Sequence, residues 1–236
     1  MERLDKIIST AKNISRADAR SLIKKGRVFV NSRAVTDIGF KADEKSDSFL
    51  CDGEELFYNK YIYIMMNKPK GVISASNGKG EKTVVDLVPQ EFRRKNLFPA
   101  GRLDKDTTGF VLITDDGDFA HRILSPKSHV PKTYIATLDK PFDDEVVESF
   151  EKGVELKDDL CMPAKLCALD GDATKGVVTI RQGMYHQIKR MFSKFGLQVL
   201  ELERIKIGGL DLDRSLAAGE CKILSEKEIK IIENKL

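Results

Sequence analysis

The chain has few of the residues that build metal sites, disulfide frameworks or membrane spans. It contains four cysteines, none of them in a CxxC pair, and only three histidines. Neither a zinc site nor a disulfide scaffold is therefore indicated, and the cysteines are expected to be buried thiols. No apolar run approaches membrane-spanning length, and the first residues lack the hydrophobic core of a signal peptide. We expect a cytoplasmic protein without membrane contact.

The charge of the chain is unevenly distributed. Its 236 residues are 41% hydrophobic and 33% charged, which is typical of a soluble protein with one sizeable core or two modest ones. Residues 1 to 41 contain ten Lys or Arg against four Asp or Glu, a net charge of +6, whereas the whole chain carries +3. The positive charge is therefore concentrated at one end, and the remainder of the chain is acidic.

A helix is predicted from Ser15 to Lys25 within this basic segment. Ser15 is suited to the N-cap and Gly26 to the C-terminal stop, and an apolar stripe recurs at helical spacing. That stripe is Ala19, Leu22 and Ile23.

The opposite face of this helix is basic. Arg16, Arg20 and Lys24 follow one another at intervals of four, so they form a ridge of like charge. Such a ridge costs repulsion unless something anionic lies against it, although a merely solvated helix face has the same charge spacing. The segment that follows, residues 27 to 35, alternates around an Asn-Ser pair and predicts a β-hairpin.

The basic helix and hairpin together resemble the S4 RNA-binding module. The resemblance implies that residues 1 to 52 dock on structured RNA, with Arg16, Arg20 and Lys24 as phosphate contacts. An acidic turn at 52–55 and a buried strand at 61–66 follow, so we place a domain boundary between residues 52 and 60. The second predicted domain spans residues 60 to 236.

An α+β fold with a largely antiparallel sheet is predicted for this second domain, because its strands are too unevenly interspersed for a βαβ repeat. Predicted strands cover residues 61–66, 110–114, 133–138, 176–181, 197–207 and 221–224, and predicted helices cover 116–124, 143–152, 186–195 and 226–235.

A glycine-bounded turn at residues 101–109, GRLDKDTTG, presents the carboxylate of greatest interest ahead of an apolar segment. Taken alone, such a segment is more often an ordinary turn, since Asp and Gly are common in turns. Asp104, Asp106 and Asp115 also fall at the first, third and twelfth positions of an EF-hand-like loop. The flanking residues are poor helix formers, so we set calcium aside.

Several ordered segments between residues 61 and 224 resemble the RsuA-type family of RNA pseudouridine synthases. The turn GRLD, with Thr107 and Gly109 following, resembles the catalytic signature of that family. The other similar segments are NKPKG at 67–71, KTY at 132–134, GMYHQIKRM at 183–191, and GGL at 208–210 with Leu216 and Gly219. The resemblance implies an RNA-modifying isomerase with a pseudouridine synthase domain, and a reaction that uses neither cofactor nor metal.

The resemblance also implies three catalytic residues. Asp104 would be the nucleophile, attacking either C1′ of the ribose or the pyrimidine ring, and both routes stay open. Tyr134 would lie against the flipped base and handle the C5 proton, although a tyrosine in a strand is otherwise most often a core residue. Lys189 would pair with Asp104 and keep it ionised, with Arg190 adjacent as the residue that could be confused with it.

Further residues receive supporting roles from the same resemblance. Arg102 is assigned to base flipping and RNA contact, His186 and Arg190 to RNA contact, and Ile188 and Leu202 to the walls of the base pocket. The part of the GMYHQIKRM segment from Tyr185 to Met191 is more similar to the small-subunit enzyme than to large-subunit members. It therefore implies 16S rRNA as the target, at uridine 516, free or in a partly assembled particle. We expect a monomer.

Three alternatives remain at the level of sequence. One is a large-subunit 23S rRNA synthase. Another is a non-catalytic S4-type RNA-binding or ribosome-assembly protein in which the catalytic signature is vestigial. The third is a carboxylate hydrolase or nucleotide-processing enzyme that uses Asp104 and Asp106 as a pair. Against this last alternative, residues two apart in a strand point to opposite sides, though in a turn they need not.

Overall fold

In the computed structural model, which describes residues 1–44, 46–125, 130–157 and 159–233, the chain divides into two units. The first unit comprises Met1–Ile62 and Arg93–Asn96, and the second comprises Tyr63–Phe92 and the chain from Leu97 onward. The predicted domain limits, 1 to 52 and 60 to 236, remain predictions.

The first unit packs two helices against a small antiparallel sheet of order β3-β2-β5-β6. Its apolar core takes Leu4, Ile7 and Ile8 from the first helix and Ala19 and Ile23 from the second. The helices are α1 (Leu4–Ala11) and α2 (Arg16–Lys24), and the strands are β1 (Glu2–Arg3), β2 (Val28–Val30), β3 (Arg33–Ala34), β4 (Lys41–Ala42), β5 (Phe49–Cys51) and β6 (Glu54–Leu56).

The predicted helix and hairpin of this unit are confirmed. Ser15 caps α2 by accepting a hydrogen bond from the Asp18 backbone N–H at 3.1 Å. Strands β2 and β3 pair antiparallel across Asn31 and Ser32, whose φ angles of 48° and 65° lie in the left-handed region. Two successive residues with positive φ give the turn the twist that a tight hairpin needs.

The described strands of the second unit are β7 (Tyr63–Lys68), β8 (Phe98–Pro99), β9 (Thr108–Thr114), β10 (Lys132–Leu138), β11 (Glu155–Leu156), β12 (Asp159–Leu160), β13 (Lys165–Leu169), β14 (Asp172–Ile180), β15 (Val199–Ile207), β16 (Leu210–Asp211) and β17 (Cys221–Ile223). Strands β11 and β12 pair with each other, and the others form one mixed sheet of order β13-β14-β10-β15-β9-β7-β17, with β16 added to β15 and β8 to β9.

Within the described residues, four helices and one short 3₁₀ turn accompany this sheet. They are α3 (Gly117–Leu124), α4 (Asp144–Lys152), α5 (Gln187–Ser193), α6 (Glu226–Glu233) and the turn Gln90–Phe92. The predicted helix at 226–235 is present as far as residue 233, and its last two predicted residues lie outside the described part of the chain. Phe110 and Leu112 of β9, Phe119 and Ile123 of α3, and Ile232 of α6 belong to the main core. The predicted α+β fold is confirmed.

One parallel pairing sets the position of the site. Among the described strands, every ladder of this sheet is antiparallel except β15 with β9, where Arg204 lies opposite Gly109. Gly109 has φ +94°, and a Cβ there would lie 2.3 Å from the carbonyl oxygen of Arg204. Only glycine allows this approach, and it brings β15 beside the end of the 101–109 turn. None of the described helices is long and apolar enough to cross a bilayer.

Candidate active site

The turn that carries Asp104 is hydrogen-bonded to Lys68, the last residue of β7. Lys68 is fully buried, and its ammonium group donates hydrogen bonds to three carbonyl oxygens. The acceptors are Pro69 at 3.1 Å, Lys105 at 3.2 Å and Thr107 at 2.8 Å. Burial lowers the pKa of Lys68 to about 8, while the nearby carboxylates of Asp106 and Asp104 act in the opposite direction.

Further hydrogen bonds fix the backbone on both sides of Asp104. The Ser74 hydroxyl donates to the carbonyl of Leu103 and accepts from its N–H, both at 3.1 Å. The Gly71 N–H donates to the Lys105 carbonyl at 2.8 Å, and the Asp104 carbonyl accepts from the Thr107 N–H at 3.1 Å. Because the backbone of the turn is bonded within the protein, the Asp104 side chain has a defined position from which to meet a ligand.

A surface cavity opens directly over this turn. Several of the residues singled out from the sequence line it together, although they come from four different segments of the chain: Arg102, Asp104, Tyr134, His186, Ile188 and Leu202. Tyr134, Ile188 and Leu202 are buried, whereas Asp104 is partly exposed and Arg102 is exposed. The fold therefore places a carboxylate, a phenol and apolar walls around one opening.

Two cationic or ionisable side chains flank Asp104. The Lys189 ammonium lies 3.5 Å from Asp104 Oδ2, and the Nε2 atom of His186 lies 3.5 Å from Oδ1. The shortest contacts of Lys189 are with Asp106, at 2.7 and 2.8 Å. This hydrogen bond, outweighing desolvation, holds the pKa of Asp106 below its ordinary value.

Asp104 and Asp106 thus approach the same ammonium group, although they stand two residues apart. The alternation expected of a strand does not apply here, because the segment is a turn with a hydrogen bond from Thr107 N–H to Asp104 carbonyl. The two carboxylates differ in exposure, with 28% of the Asp104 side chain and 70% of the Asp106 side chain accessible to solvent. Asp104 lines the cavity, and Asp106 does not.

Arg204 belongs to the site but was not singled out from the sequence. It is only 2% exposed, its Nε donates to the Phe110 carbonyl at 2.7 Å, and its Nη1 donates to the Tyr134 hydroxyl at 3.4 Å. Its guanidinium carbon also lies 5.9 Å from the centre of the Tyr134 ring. In β15, Arg204 follows Leu200 and Leu202 at a spacing of two, and this position was the available signal, since a buried cation needs partners.

The remaining predicted residues lie outside this cavity. Arg190 is on α5, where its backbone N–H donates to the His186 carbonyl at 2.9 Å, and it is not part of the cavity lining. Arg16, Arg20 and Lys24 lie on α2 of the first unit.

The basic ridge of α2 has an anionic partner within its own unit. Asp5 of α1 has a fully buried side chain that accepts from Arg16 at 2.7 Å, Arg20 at 2.8 Å and Arg3 at 3.1 Å. Burial alone would raise the pKa of Asp5, but the three guanidinium hydrogen bonds outweigh it and the pKa is lowered. The repulsion expected between Arg16 and Arg20 is thereby relieved, and each keeps almost half of its side chain exposed.

In the part of the chain that the structure describes, no group of three His, Cys, Asp or Glu side chains is arranged to hold a metal ion.

Known proteins share both units of this chain. Residues 62–194 match the family model described as RNA pseudouridylate synthase, and residues 2–47 match that of the S4 domain. The ribosomal small subunit pseudouridine synthase A of Escherichia coli is 43% identical over 96% of this chain and 98% of its own length. An uncharacterized RNA pseudouridine synthase of Bacillus subtilis is 40% identical over 98% of both chains. A crystal structure of a pseudouridylate synthase superposes with a TM-score of 0.69 at 35% identity, covering 98% of this chain and 100% of that one.

Proposed function

Since this chain belongs to the RNA pseudouridylate synthase family, as its matched domains and full-length relatives show, we propose a specific substrate and mechanism for it. The substrate is 16S rRNA of the small ribosomal subunit, and the modified nucleotide is uridine 516. The S4-like unit docks on the RNA, and the cavity over Asp104 receives the flipped uracil. Support for the small subunit comes from the Escherichia coli relative named for that subunit.

The reaction is an isomerisation with a small set of requirements. The bond between N1 of uracil and C1′ of ribose breaks, the base turns, and a bond between C5 and C1′ forms. The proton on C5 leaves and N1 regains one, so no atom or electron is gained overall. The enzyme must supply a nucleophile, a group that manages the C5 proton, and a cation that keeps the nucleophile ionised.

Asp104 is the nucleophile in this proposal. Its backbone is fixed by Ser74, Gly71 and Lys68, so its carboxylate is held in place before the substrate arrives. The ammonium of Lys189 lies 3.5 Å from its Oδ2 atom, so a positive charge stands beside the reacting carboxylate. The mechanism is written for either point of attack, C1′ or the ring.

Tyr134 is the residue that faces the uracil. Its hydroxyl oxygen accepts a hydrogen bond from Arg204, which orients the phenol. Ile188 and Leu202 line the same cavity and exclude water from the ring. The phenol is thus positioned to take or relay the proton that C5 releases after the new carbon–carbon bond forms.

Arg102 serves the step before chemistry. The target base must leave its stack, which costs a few kcal/mol, and a guanidinium at the cavity mouth can occupy the vacated space. Arg102 is exposed and lines this cavity, as that role requires. On α2, Arg16 and Arg20 present guanidinium groups that Asp5 holds in place, and they supply phosphate contacts together with the exposed Lys24.

The observation that carries the proposal is that Asp104 and Tyr134, from separate segments, line one cavity, while Lys189 lies 3.5 Å from Asp104. The test is release of tritium from C5-labelled 16S rRNA, free and in partly assembled particles, with Asp104→Asn as the matched inactive variant. We expect release by the wild type only, followed by mapping of the product to uridine 516. Release from 23S rRNA alone would overturn the target, and release by Asp104→Asn would overturn the mechanism.

A further inference from the structure

Tyr185 presents an aromatic ring to solvent at the edge of the candidate active site. Its residue is 72% exposed, and its ring stacks on the imidazole of His186 with centroids 3.9 Å apart and planes inclined by 16°. One face of the tyrosine ring is therefore covered by His186, and the ring remains largely accessible. We propose that this stacked pair is a platform for a nucleobase that neighbours the target uridine, an inference that rests on the proposed function.

His186 places the platform next to Asp104, the proposed nucleophile. Its Nε2 atom lies 3.5 Å from Asp104 Oδ1, and it lines the cavity in which the flipped uracil is placed. Tyr185 directly precedes His186 in the chain and stacks on its imidazole, so a base that extends the stack lies beside the cavity mouth. A nucleotide adjacent to the target in the RNA chain is the group that reaches this place.

The platform is held by the local backbone before RNA binds. His186 has φ +46°, a left-handed conformation that is uncommon outside glycine. The buried Gln187 accepts a hydrogen bond from the Met184 N–H at 3.2 Å through its side chain, and its own N–H donates to the Met184 carbonyl at 3.3 Å. These bonds close the turn around Tyr185 and His186, so the ring needs little ordering when a base arrives.

A nucleobase fits this surface better than an apolar protein side chain. Flipping the target removes a stacking partner from each neighbouring base, and an aromatic ring at the cavity mouth replaces it. Base–aromatic stacking tolerates any base, because every base has a π-face. Arg102 lines the same cavity and Lys189 lies 3.5 Å from Asp104, and both cations favour an anionic chain over a neutral one.

The first test measures binding without turnover. Affinity for a single-stranded 16S fragment containing uridine 516 is compared for the wild type, Tyr185→Phe and Tyr185→Ala, with Leu200→Ala as an exposed apolar control in the same unit. We expect Tyr185→Phe to bind within about twofold of wild type and Tyr185→Ala to bind roughly 5- to 100-fold more weakly. Equal affinities for Tyr185→Ala and wild type would overturn the platform.

The second test identifies the base. An abasic nucleotide is placed on either side of the target, and kcat/KM is measured for the wild type and Tyr185→Ala. At the platform position the abasic RNA is a poorer substrate for the wild type, and the loss is absent in Tyr185→Ala, because the stacking partner is already gone. Equal abasic losses in both proteins, at both neighbours, contradict the platform.

The outcomes separate this inference from the proposed function. If the wild type releases no tritium from intact RNA, the proposed function fails, and the binding comparison still decides the platform on its own. If the Tyr185→Ala defect appears only with particles that contain ribosomal protein, the ring binds a protein partner and the platform is overturned.

Discussion

The ammonium group of Lys189 lies closer to Asp106 than to Asp104, the predicted nucleophile. Its Nζ atom is 2.7 and 2.8 Å from the two carboxylate oxygens of Asp106. The separation from Asp104 Oδ2 is 3.5 Å. The ammonium therefore stands between a cavity-lining carboxylate and a largely exposed one. We interpret Asp106 as a residue that positions Lys189, and Asp104 as the group that reacts.

The first prediction separates these two roles by matched amide substitutions. Asp104→Asn removes the nucleophile, so we expect kcat to fall by about 10⁴ or more. Asp106→Asn removes a solvent-screened partner of Lys189, so we expect a loss of roughly tenfold or less. Single-turnover tritium release on the same RNA measures both. Equal losses would instead support the interpretation of Asp104 and Asp106 as a catalytic carboxylate pair.

The second prediction concerns Tyr134 and Arg204. Tyr134→Phe removes one hydroxyl whose contact with Arg204 is long, so we expect the Tm to stay within a few degrees. If the phenol handles the C5 proton, kcat falls by about 100-fold or more. Arg204→Met leaves the buried Phe110 carbonyl without its donor, and we expect a loss of stability of about 2 to 4 kcal/mol.

Thermal unfolding and tritium release on the two variants separate structural from chemical effects. Tyr134→Phe with unchanged kcat would exclude a proton-transfer role and leave only the ring contact with uracil. Arg204→Met with unchanged stability would show that the buried guanidinium has no structural role.

The sequence predicted the parts of the site that depend on local pattern. The turn at 101–109, the strand that follows and the helix behind His186 are each indicated by nearby residues. The contacts of the buried side chains Lys68 and Arg204 were not predictable in this way, because their partners are distant in sequence. Lys68 bonds to the Thr107 carbonyl across 39 residues, and Arg204 reaches Tyr134 across 70.

In the first unit, too, a contact between residues distant in sequence was not predictable from local pattern. Helix α1 was not predicted from the sequence, because it has only eight residues and begins after Arg3 without a side-chain cap. Its Asp5 looks like a surface residue by type, yet the fold buries it under three arginines. The spacing of Arg16 and Arg20 predicted a shared face, but the carboxylate that neutralises part of it lies on another helix.

The third prediction is a pH dependence of stability that arises from Lys132. Burial, with a smaller effect of Arg204, lowers the pKa of Lys132 to about 8. Between pH 8 and the unfolded value near 10.4, the unfolded chain binds more protons at this residue, so stability rises with pH. Lys132→Met lacks this contribution, and the wild type should gain about 1 to 2 kcal/mol relative to it between pH 7.5 and 9.5.

Urea unfolding of both proteins at the two pH values measures this difference. Lys140→Met, at an exposed lysine, is the matched control for the loss of one positive charge. A relative gain by the Lys132→Met protein would reverse the predicted sign.

The fourth prediction tests the close approach of β15 and β9. A Cβ at Gly109 would lie 2.3 Å from the Arg204 carbonyl oxygen, and the backbone there has φ +94°. Gly109→Ala should therefore cost at least about 3 kcal/mol, since neither main chain can move away easily. Gly117→Ala is the control, because a Cβ there meets nothing within 4 Å. Chemical denaturation compares the two variants, and a Gly109→Ala protein as stable as Gly117→Ala would refute the constraint.

The last prediction concerns the electrostatic contribution of the S4-like unit to RNA binding. Arg3, Arg16 and Arg20 share one carboxylate, so the cluster around Asp5 keeps an excess of two positive charges that Lys24 extends. Phosphates that bind to this ridge release counterions, and the affinity falls with salt in proportion to the number of contacts. Replacing Arg16, Arg20 and Lys24 by alanine should flatten the slope of log K against log salt by roughly two to three.

The matched control replaces three exposed lysines of the second unit, Lys140, Lys152 and Lys175, and so removes the same formal charge. Because neither ridge nor cavity contains these residues, their loss should change the slope by less than about one. Fluorescence titration of a 16S fragment across salt concentrations gives both slopes. If the two triple variants flatten the slope equally, the protein binds RNA by its overall charge, and the ridge on α2 has no special role in docking.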